Sequence, residues 1–198
     1  MKIIGGSLRG REIVVPQGLV ARPMRNQVRE ALFQSIAERL PNCVGMDLFA
    51  GSGSLGLEAI SRGAGTIYFC EKARPCLTAL KRNFEDLGVK DRAKLKRVDL
   101  ARGLDPLYEH GPFDLVLMDP PFDLLRRPPR SGHVDVRKIL AELGSSDLLK
   151  KTGLIAFEAP ARTFRIEPEL KDWGLFLDLR REYGSTSLWL LKKESMEC

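Results

Sequence analysis

The sequence predicts an α/β fold in which helices cover a mostly parallel sheet. Three observations lead to this prediction. Short apolar segments, which we expect to be strands, alternate with segments of helical periodicity. A glycine-rich turn joins one of these expected strands to a helix, and a short turn alone separates the last two expected strands. Strands that alternate with helices form βαβ units, whose strands are parallel. Because a short turn joins antiparallel neighbours, we also expect a C-terminal hairpin.

The expected elements follow one another along the chain. Strands around KIIGG and REIVV form a small N-terminal β-hairpin, and a linker from Pro16 to Pro23 leads to a helix over 26–40 with Asn26 as its N-cap. The central strands cover 44–49, 66–71, 94–99, 113–119 and 153–158, and the helices cover 54–62, 74–87 and 135–149. LFLDLRREYG and STSLWLL form the final hairpin. We therefore divide the chain into an extension, 1–40, and a larger domain, 41–198.

The composition argues against a membrane protein, a secreted protein and a metalloprotein. No apolar run is long enough to span a bilayer, and the N-terminal residues contain no apolar stretch of the signal-peptide type. The cysteines, at positions 43, 70, 76 and 198, form no C-x-x-C pair, and neither histidine lies near one of them in sequence. We therefore expect a cytoplasmic protein with reduced thiols and no metal.

The net charge of +6 is unevenly distributed. Residues 1–40 contain seven basic and three acidic side chains, which gives this segment a net charge of +4. Such an excess suits a polyanionic partner, although a solvated basic surface produces the same pattern. Charge alone leaves both interpretations open.

A glycine-rich turn follows the first strand of the larger domain. The stretch from Asp47 to Gly56 reads DLFAGSGSLG and contains the spacing G-x-G-x-x-G. Glycine is needed where the backbone passes close to a ligand or adopts a positive φ. The same spacing occurs in dinucleotide-binding dehydrogenases, and a purely structural turn is a further alternative.

Acidic residues lie at the ends of the next two expected strands. Glu71, twenty residues after Gly51, can accept hydrogen bonds from both hydroxyls of a ribose, and Asp99 can accept the amino group of an adenine. Either residue could instead cap a following helix. Because open α/β sheets bind ligands at the carboxyl ends of their strands, these positions together favour a nucleoside-containing ligand.

The motif Asp119-Pro120-Pro121-Phe122 follows the fourth central strand. The prolines fix two φ angles and lack N–H donors, so we expect a rigid arm with unpaired carbonyls. The Asp119 carboxylate and the Pro120 carbonyl can accept both hydrogens of one exocyclic –NH2 group and orient its lone pair. Phe122 offers a ring on which a base can stack. The alternative is a structural turn, since D-P-P is also favourable turn chemistry.

Together these motifs resemble the class I, Rossmann-like S-adenosylmethionine methyltransferases. The resemblance implies a seven-stranded sheet whose last strand is antiparallel. It also implies that the glycine loop holds the methionine moiety of the cofactor, Glu71 the ribose and Asp99 the adenine. The cofactor contacts expected on this basis are Asp47, Phe49, Gly51, Gly53, Glu71, Asp99 and Leu100. The D-P-P-F motif resembles the (D/N)-P-P-(Y/F) signature of enzymes that methylate adenine N6, guanine N2 or protein glutamine.

The remaining motifs narrow the resemblance to one family. IIGGSLRGR, RPMRNQVREALF, DLFAGSGSLGLEAISRGA and the late YGST resemble the RsmD family, whose members methylate guanine N2 in bacterial 16S ribosomal RNA. The implied partner is 16S rRNA, free or in an assembled small subunit, and we expect a monomer. RNA contacts are expected at Arg9, Arg11 and Arg22, and at Arg126 and Arg127 in an arginine-rich stretch that is otherwise a solvated loop.

One departure and several alternatives accompany this resemblance. The family usually has threonine where this chain has Met24. DNA adenine methyltransferases usually add a target-recognition domain, and protein-glutamine methyltransferases usually carry N-P-P-Y with a helical substrate domain. A nucleotide-binding dehydrogenase and a catalytically silent RNA-binding relative are further alternatives. The D-P-P-F motif argues against the dehydrogenase, and intact Asp119, Glu71 and Gly53 argue against the silent relative.

Overall fold

The centre of the fold is a seven-stranded mixed sheet, seen in a computed structural model that describes residues 1–16, 24–126 and 132–193. The strands are β1 (Val44–Leu48), β2 (Thr66–Glu71), β3 (Ala93–Arg97), β4 (Phe113–Met118), β5 (Leu149–Pro160), β6 (Leu175–Tyr183) and β7 (Thr186–Lys193). Their order in the sheet is β3-β2-β1-β4-β5-β7-β6. Strands β1, β2 and β3 are parallel, whereas β7 pairs antiparallel with both β5 and β6. The predicted mixed sheet and C-terminal hairpin are therefore confirmed.

Four of the five α-helices among the described residues overlap the predicted helical stretches, whereas the short helix that follows Pro121 was not predicted. The helices are α1 (Asn26–Ser35), α2 (Ser54–Ser61), α3 (Arg74–Asp86), α4 (Phe122–Arg126) and α5 (Val136–Ser145). Helix α5 begins after Asp135, whose carboxylate accepts the N–H groups of Arg137 and Lys138 at 3.0 and 3.4 Å. Helix α3 has Pro75 in its first turn, where no backbone donor is required.

The chain divides into two compact units. The first unit contains residues 1–98 and 117–119, and the second contains 99–116 and the residues from 120 onward. In the first unit, Gly56 of α2 lies against β2 so closely that a Cβ there would stand 2.3 Å from the ring of Phe69. In the second unit, the rings of Phe157, Phe164 and Trp189 form an aromatic core with centroid distances of 5.9 to 6.0 Å. Each unit thus has its own buried interior.

The N-terminal segment pairs with itself less regularly than the predicted hairpin. Its antiparallel pairing is a single bridge between Lys2 and Glu12, and residues Gly6–Leu8 form a 3-10 turn. The carboxylate of Glu58 accepts the N–H groups of Ile4 and Gly5 at 2.8 and 2.7 Å. Because these two N–H groups donate to Glu58 on helix α2, they are not available for hydrogen bonds across a hairpin. Two regular strands therefore do not form.

The first helix also differs from its prediction. It ends at Ser35 rather than at residue 40, because Ile36 has φ −113° and ψ 12°, and residues Ala37–Arg39 form a separate 3-10 turn. Its N-cap is Arg25, and Asn26 lies within the first turn. The predicted domain boundary between residues 40 and 41 stays a prediction.

In the ranges that the structure describes, no helix has the length and apolarity needed to cross a bilayer.

Candidate active site

The glycine loop between β1 and α2 has the backbone conformation that its glycines predict. Gly51 and Gly53 have φ values of +55° and +84°, a region that favours glycine. At Gly53 a Cβ would also stand 2.7 Å from a methyl carbon of Leu80. A side chain at position 53 would therefore be excluded twice, by the backbone angle and by the packing of α3 against the loop.

Phe49, just after β1, carries strain that no sequence pattern revealed. It has φ +66°, although a bulky side chain rarely adopts a positive φ, and it is half-buried. Such a conformation costs about 1–3 kcal/mol and persists only when the surrounding structure imposes it. Strain of this kind is concentrated at functional sites. The predicted cofactor contact of Phe49 stays a prediction, and its backbone is consistent with it.

The Glu71 carboxylate ties the glycine loop to the end of β2. One oxygen, Oε2, accepts the Gly51 N–H at 3.0 Å, and Oε1 accepts the N–H groups of Lys72 and Ala73 at 2.7 and 2.8 Å. An ionised carboxylate offers about four acceptor sites, so these three bonds leave capacity for a further hydroxyl. The half-buried Glu71 side chain makes no capping hydrogen bond to α3, whose N-cap is Ala73, and its remaining capacity is consistent with the ribose-binding interpretation.

Asp47 is a buried carboxyl group beneath the same loop. It is 1% exposed, and its Oδ2 accepts the Gly56 N–H at 2.9 Å. Burial raises the pKa of Asp47 to about 8, the Gly56 hydrogen bond opposes this, and the charges of Asp119 and Glu71 add to it. Asp47 therefore holds its proton to a higher pH than an ordinary aspartate does. The negative charges of Asp119 and Glu71, which contribute to this shift, make this part of the first unit electronegative, and that favours a cationic ligand.

Asp119 follows β4 and is held by a backbone donor from the N-terminal region. Its Oδ2 accepts the Met24 N–H at 3.1 Å. The Met24 side chain is 3% exposed. The contact to Asp119 thus comes from the backbone of residue 24 and does not require the hydroxyl of the threonine that the family usually has there.

Arg29, one turn into α1, is a buried cation in the same unit. Its side chain is 1% exposed, and its Nη2 donates to the Lys2 carbonyl at 2.8 Å and to Asn26 Oδ1 at 3.1 Å. Burial lowers the pKa of Arg29, as does the charge of Arg62, whereas the charges of Glu58 and Asp119 raise it. In the sequence Arg29 is one of several arginines in a basic segment, and its burial could not be foreseen from the charge of that segment.

The other predicted site residues lie in the second unit. Asp99 accepts the Ala101 N–H at 3.2 Å and so begins a 3-10 turn, Leu100–Arg102, in which Leu100 is buried. Pro120 is buried and Pro121 exposed, while Phe122 is half-buried and is the first residue of α4. The Pro121 carbonyl accepts the Leu124 N–H at 2.9 Å, so the expectation of unpaired carbonyls after Asp119 is wrong for this residue.

The predicted RNA contacts are only partly described. Arg9 and Arg11 are exposed, and Arg11 Nη2 donates to the Asp86 carbonyl at the end of α3 at 2.6 Å. Arg126 is the last residue of α4. Arg22 and Arg127 lie outside the described residues. Arg11 therefore has an internal partner that a purely RNA-facing arginine would not need.

A second basic surface, not anticipated from the sequence, lies on the edge strand β3. Lys94 and Arg97 are exposed, and Lys96 Nζ lies 5.9 Å from the centroid of the Tyr68 ring. Residues 66–98 contain nine basic and four acidic side chains, a net charge of +5, so the signal was present in the sequence. We refer to Lys94, Lys96 and Arg97 as the β3 basic edge.

The part of the chain that the structure describes contains no recognisable metal-binding site. No group of three or more His, Cys, Asp or Glu side chains there could hold a metal ion. Cys43, Cys70 and Cys76 are buried, and none of them forms a disulfide within these residues.

Comparison with known proteins gives consistent matches over most of the chain. A family model described as "Conserved hypothetical protein 95" matches residues 1–192. A protein named ribosomal RNA small subunit methyltransferase D from Haemophilus influenzae is 36% identical over 179 residues, covering 88% of this chain and 86% of its own. A protein of the same name from Buchnera aphidicola is 32% identical over 174 residues, covering 88% and 84%.

Solved structures agree with these matches. The Escherichia coli protein yhhF is 29% identical and superposes over 99% of each chain with a TM-score of 0.77. An S-adenosylmethionine-dependent methyltransferase from Clostridium acetobutylicum, only 13% identical, shares the fold with a TM-score of 0.65 over 84% of this chain and 91% of its own. The fold is therefore that of class I methyltransferases, and the chain belongs to the RsmD family, whose model is described as conserved hypothetical protein 95.

Proposed function

We propose that this protein methylates small-subunit ribosomal RNA, transferring a methyl group from S-adenosylmethionine to the exocyclic N2 amine of a guanine in 16S rRNA. The observation that carries the proposal is the Asp119 carboxylate, held by the Met24 N–H at 3.1 Å and followed by Pro-Pro-Phe. Relatives named ribosomal RNA small subunit methyltransferase D support the choice of RNA. We also propose that the protein acts as a monomer in the cytoplasm.

The cofactor would be held by the glycine loop and Glu71. When bound, S-adenosylmethionine supplies a methyl group that is already activated by a positively charged sulfur. The open side of Gly51 gives room for a close approach of backbone to ligand, since among the described residues an added Cβ would meet within 4 Å only the Phe49 carbonyl oxygen, at 3.8 Å. The remaining acceptor capacity of Glu71 suits a ribose hydroxyl, and the surrounding carboxyl groups favour the cation. Asp99 and Leu100 would contact the adenine, as the family resemblance implies.

Asp119 would orient the amine and accept its proton. The lone pair of an exocyclic amine is delocalised into the base, so the amine is a weak nucleophile until its hydrogens are held by acceptors. An ionised Asp119 carboxylate can accept an amine hydrogen in addition to the Met24 N–H, because it offers about four acceptor sites. The Pro120 carbonyl would accept the second hydrogen. Positioning of this kind can supply roughly 7–11 kcal/mol of the reduction in the barrier.

Phe122 and the basic side chains would place the RNA. A base stacked on the Phe122 ring would gain about 1–3 kcal/mol, and a base in a loop needs less energy to unstack than one in a duplex. Arg9, Arg11 and Arg22, with Arg126 and Arg127, would contact phosphates. Rate loss in a Phe122→Ala variant at subsaturating RNA, with normal binding of S-adenosylhomocysteine, would identify the stacking contribution.

The test is transfer of a tritiated methyl group from S-adenosylmethionine to 16S rRNA, supplied free and in assembled small subunits. Nucleoside mass spectrometry of the product should show N2-methylguanosine. Asp119→Ala should abolish transfer while leaving the affinity for S-adenosylhomocysteine within about twofold, since the lost interaction acts on the reacting amine. N6-methyladenosine, a methylated protein or the absence of any labelled product would contradict the proposal, and equal rates for Asp119→Ala would remove Asp119 from it.

A further inference from the structure

The β3 basic edge places charges of one sign at the end of the sheet. Strand β3 is the first strand in the sheet order, and among the described residues it pairs with β2 alone, so its other side faces away from the sheet. Three of its five residues are basic, and Lys94 and Arg97 are exposed. Edge strands commonly carry lysine to prevent pairing with a second chain. Protection of the edge is therefore the simplest explanation of these charges.

The two lysines and Tyr68 share one face of the sheet. Side chains alternate between the two faces along a strand, so Lys94 and Lys96 lie on the same face, roughly 6.6 Å apart along β3. Tyr68 is paired in register with Lys94, and Lys96 Nζ lies 5.9 Å from the centroid of the Tyr68 ring. Phe69 lies on the opposite face, where its ring centroid is 4.7 Å from that of Phe84 in α3. Helix α3 therefore packs on the face that does not carry the lysines.

The chain that follows β3 contains no α-helix to cover the face of the lysines. Residues 98–112, all of which the structure describes, include the 3-10 turns Leu100–Arg102 and Asp105–His110. In an α/β fold the connections between strands usually supply the helices that cover the sheet. The exposure of Lys94 and the half-burial of Lys96 agree with an open face at this edge.

Neighbouring acidic side chains leave the charge of this surface uncompensated. The side chains of the β3 basic edge form no ion pair within the described residues. Of the four acidic residues in 66–98, Glu85 and Asp86 are paired with other basic side chains at 2.7 and 3.4 Å, Glu71 accepts three backbone N–H groups, and Asp91 is exposed. Protection of an edge needs charge, but it does not need three uncompensated charges of one sign. The excess suits a polyanion.

We propose that the β3 basic edge binds the phosphate backbone of the ribosomal RNA substrate, as a contact surface separate from the N-terminal arginines. The inference rests on the proposed function, which supplies the identity of the RNA. Lys94 and Lys96 follow one strand and can contact successive phosphates of one RNA strand. The Tyr68 ring holds the Lys96 ammonium in place, so less side-chain freedom is lost on binding. Arg97 can bind a phosphate through two parallel N–H groups.

The position of this surface determines which part of the RNA it contacts. In the sheet order β3 is three strands away from β4, and Asp119 directly follows β4. Because neighbouring strands lie about 4.8 Å apart, the β3 basic edge is roughly 14 Å or more from the end of β4. It therefore contacts RNA outside the target nucleotide, and we expect it to affect the binding of RNA rather than the reacting base.

The first test removes the three charges and measures the salt dependence of RNA binding. Lys94→Gln, Lys96→Gln and Arg97→Gln keep the edge polar and are combined in one variant. Each phosphate contact adds roughly 0.7 to the log–log slope on single-stranded RNA, so the slope for a 16S rRNA transcript should fall by roughly 2. At a salt concentration of about 0.15 M, the Kd should rise at least about tenfold. An unchanged slope and Kd would overturn the inference.

The matched control removes the same charge from exposed positions on α3 and the turn after it. Lys81→Gln, Arg82→Gln and Lys90→Gln are combined for this purpose, and the slope should fall by less than about 0.7. An equal fall in both variants would mean that the RNA responds to net charge and not to this edge, which would also overturn the inference. If the lysines only protect the edge, the first variant should self-associate in sedimentation experiments and its monomer should bind RNA with the original slope.

A footprint on the unmodified protein tests the same contact without any substitution. Lysine side chains are acetylated with a small reagent in the presence and absence of 16S rRNA, and the acetylated positions are identified by mass spectrometry. Lys94 and Lys96 should lose most of their acetylation when RNA is bound, whereas exposed Lys171 in the second unit should keep it. Equal acetylation of Lys94 and Lys96 in both samples would contradict the inference, and this result does not depend on the folding of a variant.

Methylation assays separate this inference from the proposed function. In the first variant the KM for RNA should rise about tenfold while kcat changes little, because the contact is made equally in the ground state and the transition state. Protection of the lysines and a lowered slope, in a protein that forms no N2-methylguanosine, would refute the proposed function and leave the RNA contact intact. Normal formation of N2-methylguanosine with an unchanged slope and KM would refute the RNA contact alone.

Discussion

The Asn83 side chain clamps the backbone of Val14 through two hydrogen bonds. Its Oδ1 accepts the Val14 N–H at 2.7 Å, and its Nδ2 donates to the Val14 carbonyl at 3.0 Å. The same Nδ2 donates to the carbonyl of Ser52 in the glycine loop at 3.0 Å. A single buried amide therefore satisfies both the end of the N-terminal segment and the loop that precedes α2.

Replacing this amide should destabilise the first unit strongly. In Asn83→Ala the two backbone groups of half-buried Val14 and the buried carbonyl of Ser52 lose their partner, and we expect the free energy of unfolding to fall by about 2–4 kcal/mol. Urea titration followed by far-UV circular dichroism measures the change. Gln34→Ala, an exposed substitution in α1, is the control and should change the value by less than about 0.5 kcal/mol. A loss in Asn83→Ala no greater than in the control would mean that the clamp does not contribute to stability.

Asp47 should make the protein less stable as pH rises from about 4 to 8. Its pKa is raised from an ordinary value of 3.8 to about 8, mainly by burial, so in this window the folded state holds a proton that the unfolded state has lost. The slope from this group is at most about −1.4 kcal/mol per pH unit. Asp47→Asn, which can still accept the Gly56 N–H, should flatten the curve. Urea unfolding at several pH values measures it, with exposed Asp86→Asn as the control, and an unchanged slope in Asp47→Asn would contradict the prediction.

Glu71 should be required for cofactor binding. We expect Glu71→Ala to raise the Kd for S-adenosylhomocysteine at least about tenfold, a change of about 1.4 kcal/mol, because it removes a ribose acceptor and releases the Gly51 N–H. Calorimetry provides the measurement. Glu85→Gln, an exposed carboxylate paired with Lys90, should bind as the unmodified protein does. Tighter binding of NAD than of S-adenosylhomocysteine would refute the assignment of the loop.

Arg9 and Arg11 should contribute to the salt dependence of RNA binding. Each phosphate contact adds roughly 0.7 to the log–log slope on single-stranded RNA, so Arg9→Ala with Arg11→Ala should lower the slope by up to about 1.4. Cofactor binding should not change. Arg82→Ala with Lys90→Ala, which removes two charges that have acidic partners, is the control. If the arginine variant keeps the original slope, these residues only support the fold, and the β3 basic edge becomes the next surface to test.

Local sequence patterns were sufficient to predict the fold and part of the site. The alternation of strands and helices gave the sheet, and the glycine spacing located Gly51 and Gly53 correctly in the left-handed region. The irregular N-terminal pairing was not predictable, because it depends on Glu58 accepting N–H groups from residues more than fifty positions away. The positive φ of Phe49 was not predictable either, because tertiary packing imposes it and the residue type does not reveal it.

The basic residues illustrate the limit of counting charges. In the sequence Arg29 looks like any other arginine of the extension, yet it is buried, whereas Arg9 is exposed. At position 24 the sequence suggests a difference that the contact does not depend on. The family usually has threonine there, but the contact to Asp119 uses the backbone N–H, which every residue except proline supplies.

The aromatic core of the second unit has a practical consequence for spectroscopy. Both tryptophans of the chain, Trp173 and Trp189, belong to that unit, and Trp189 is fully buried with its Nε1 donating to Ser187 at 2.8 Å. Tryptophan emission therefore reports the loss of the second unit alone, whereas the far-UV signal follows the helices of both. Superimposable curves from the two signals would identify a single cooperative transition, and separated curves would resolve the unfolding of each unit within one unmodified protein.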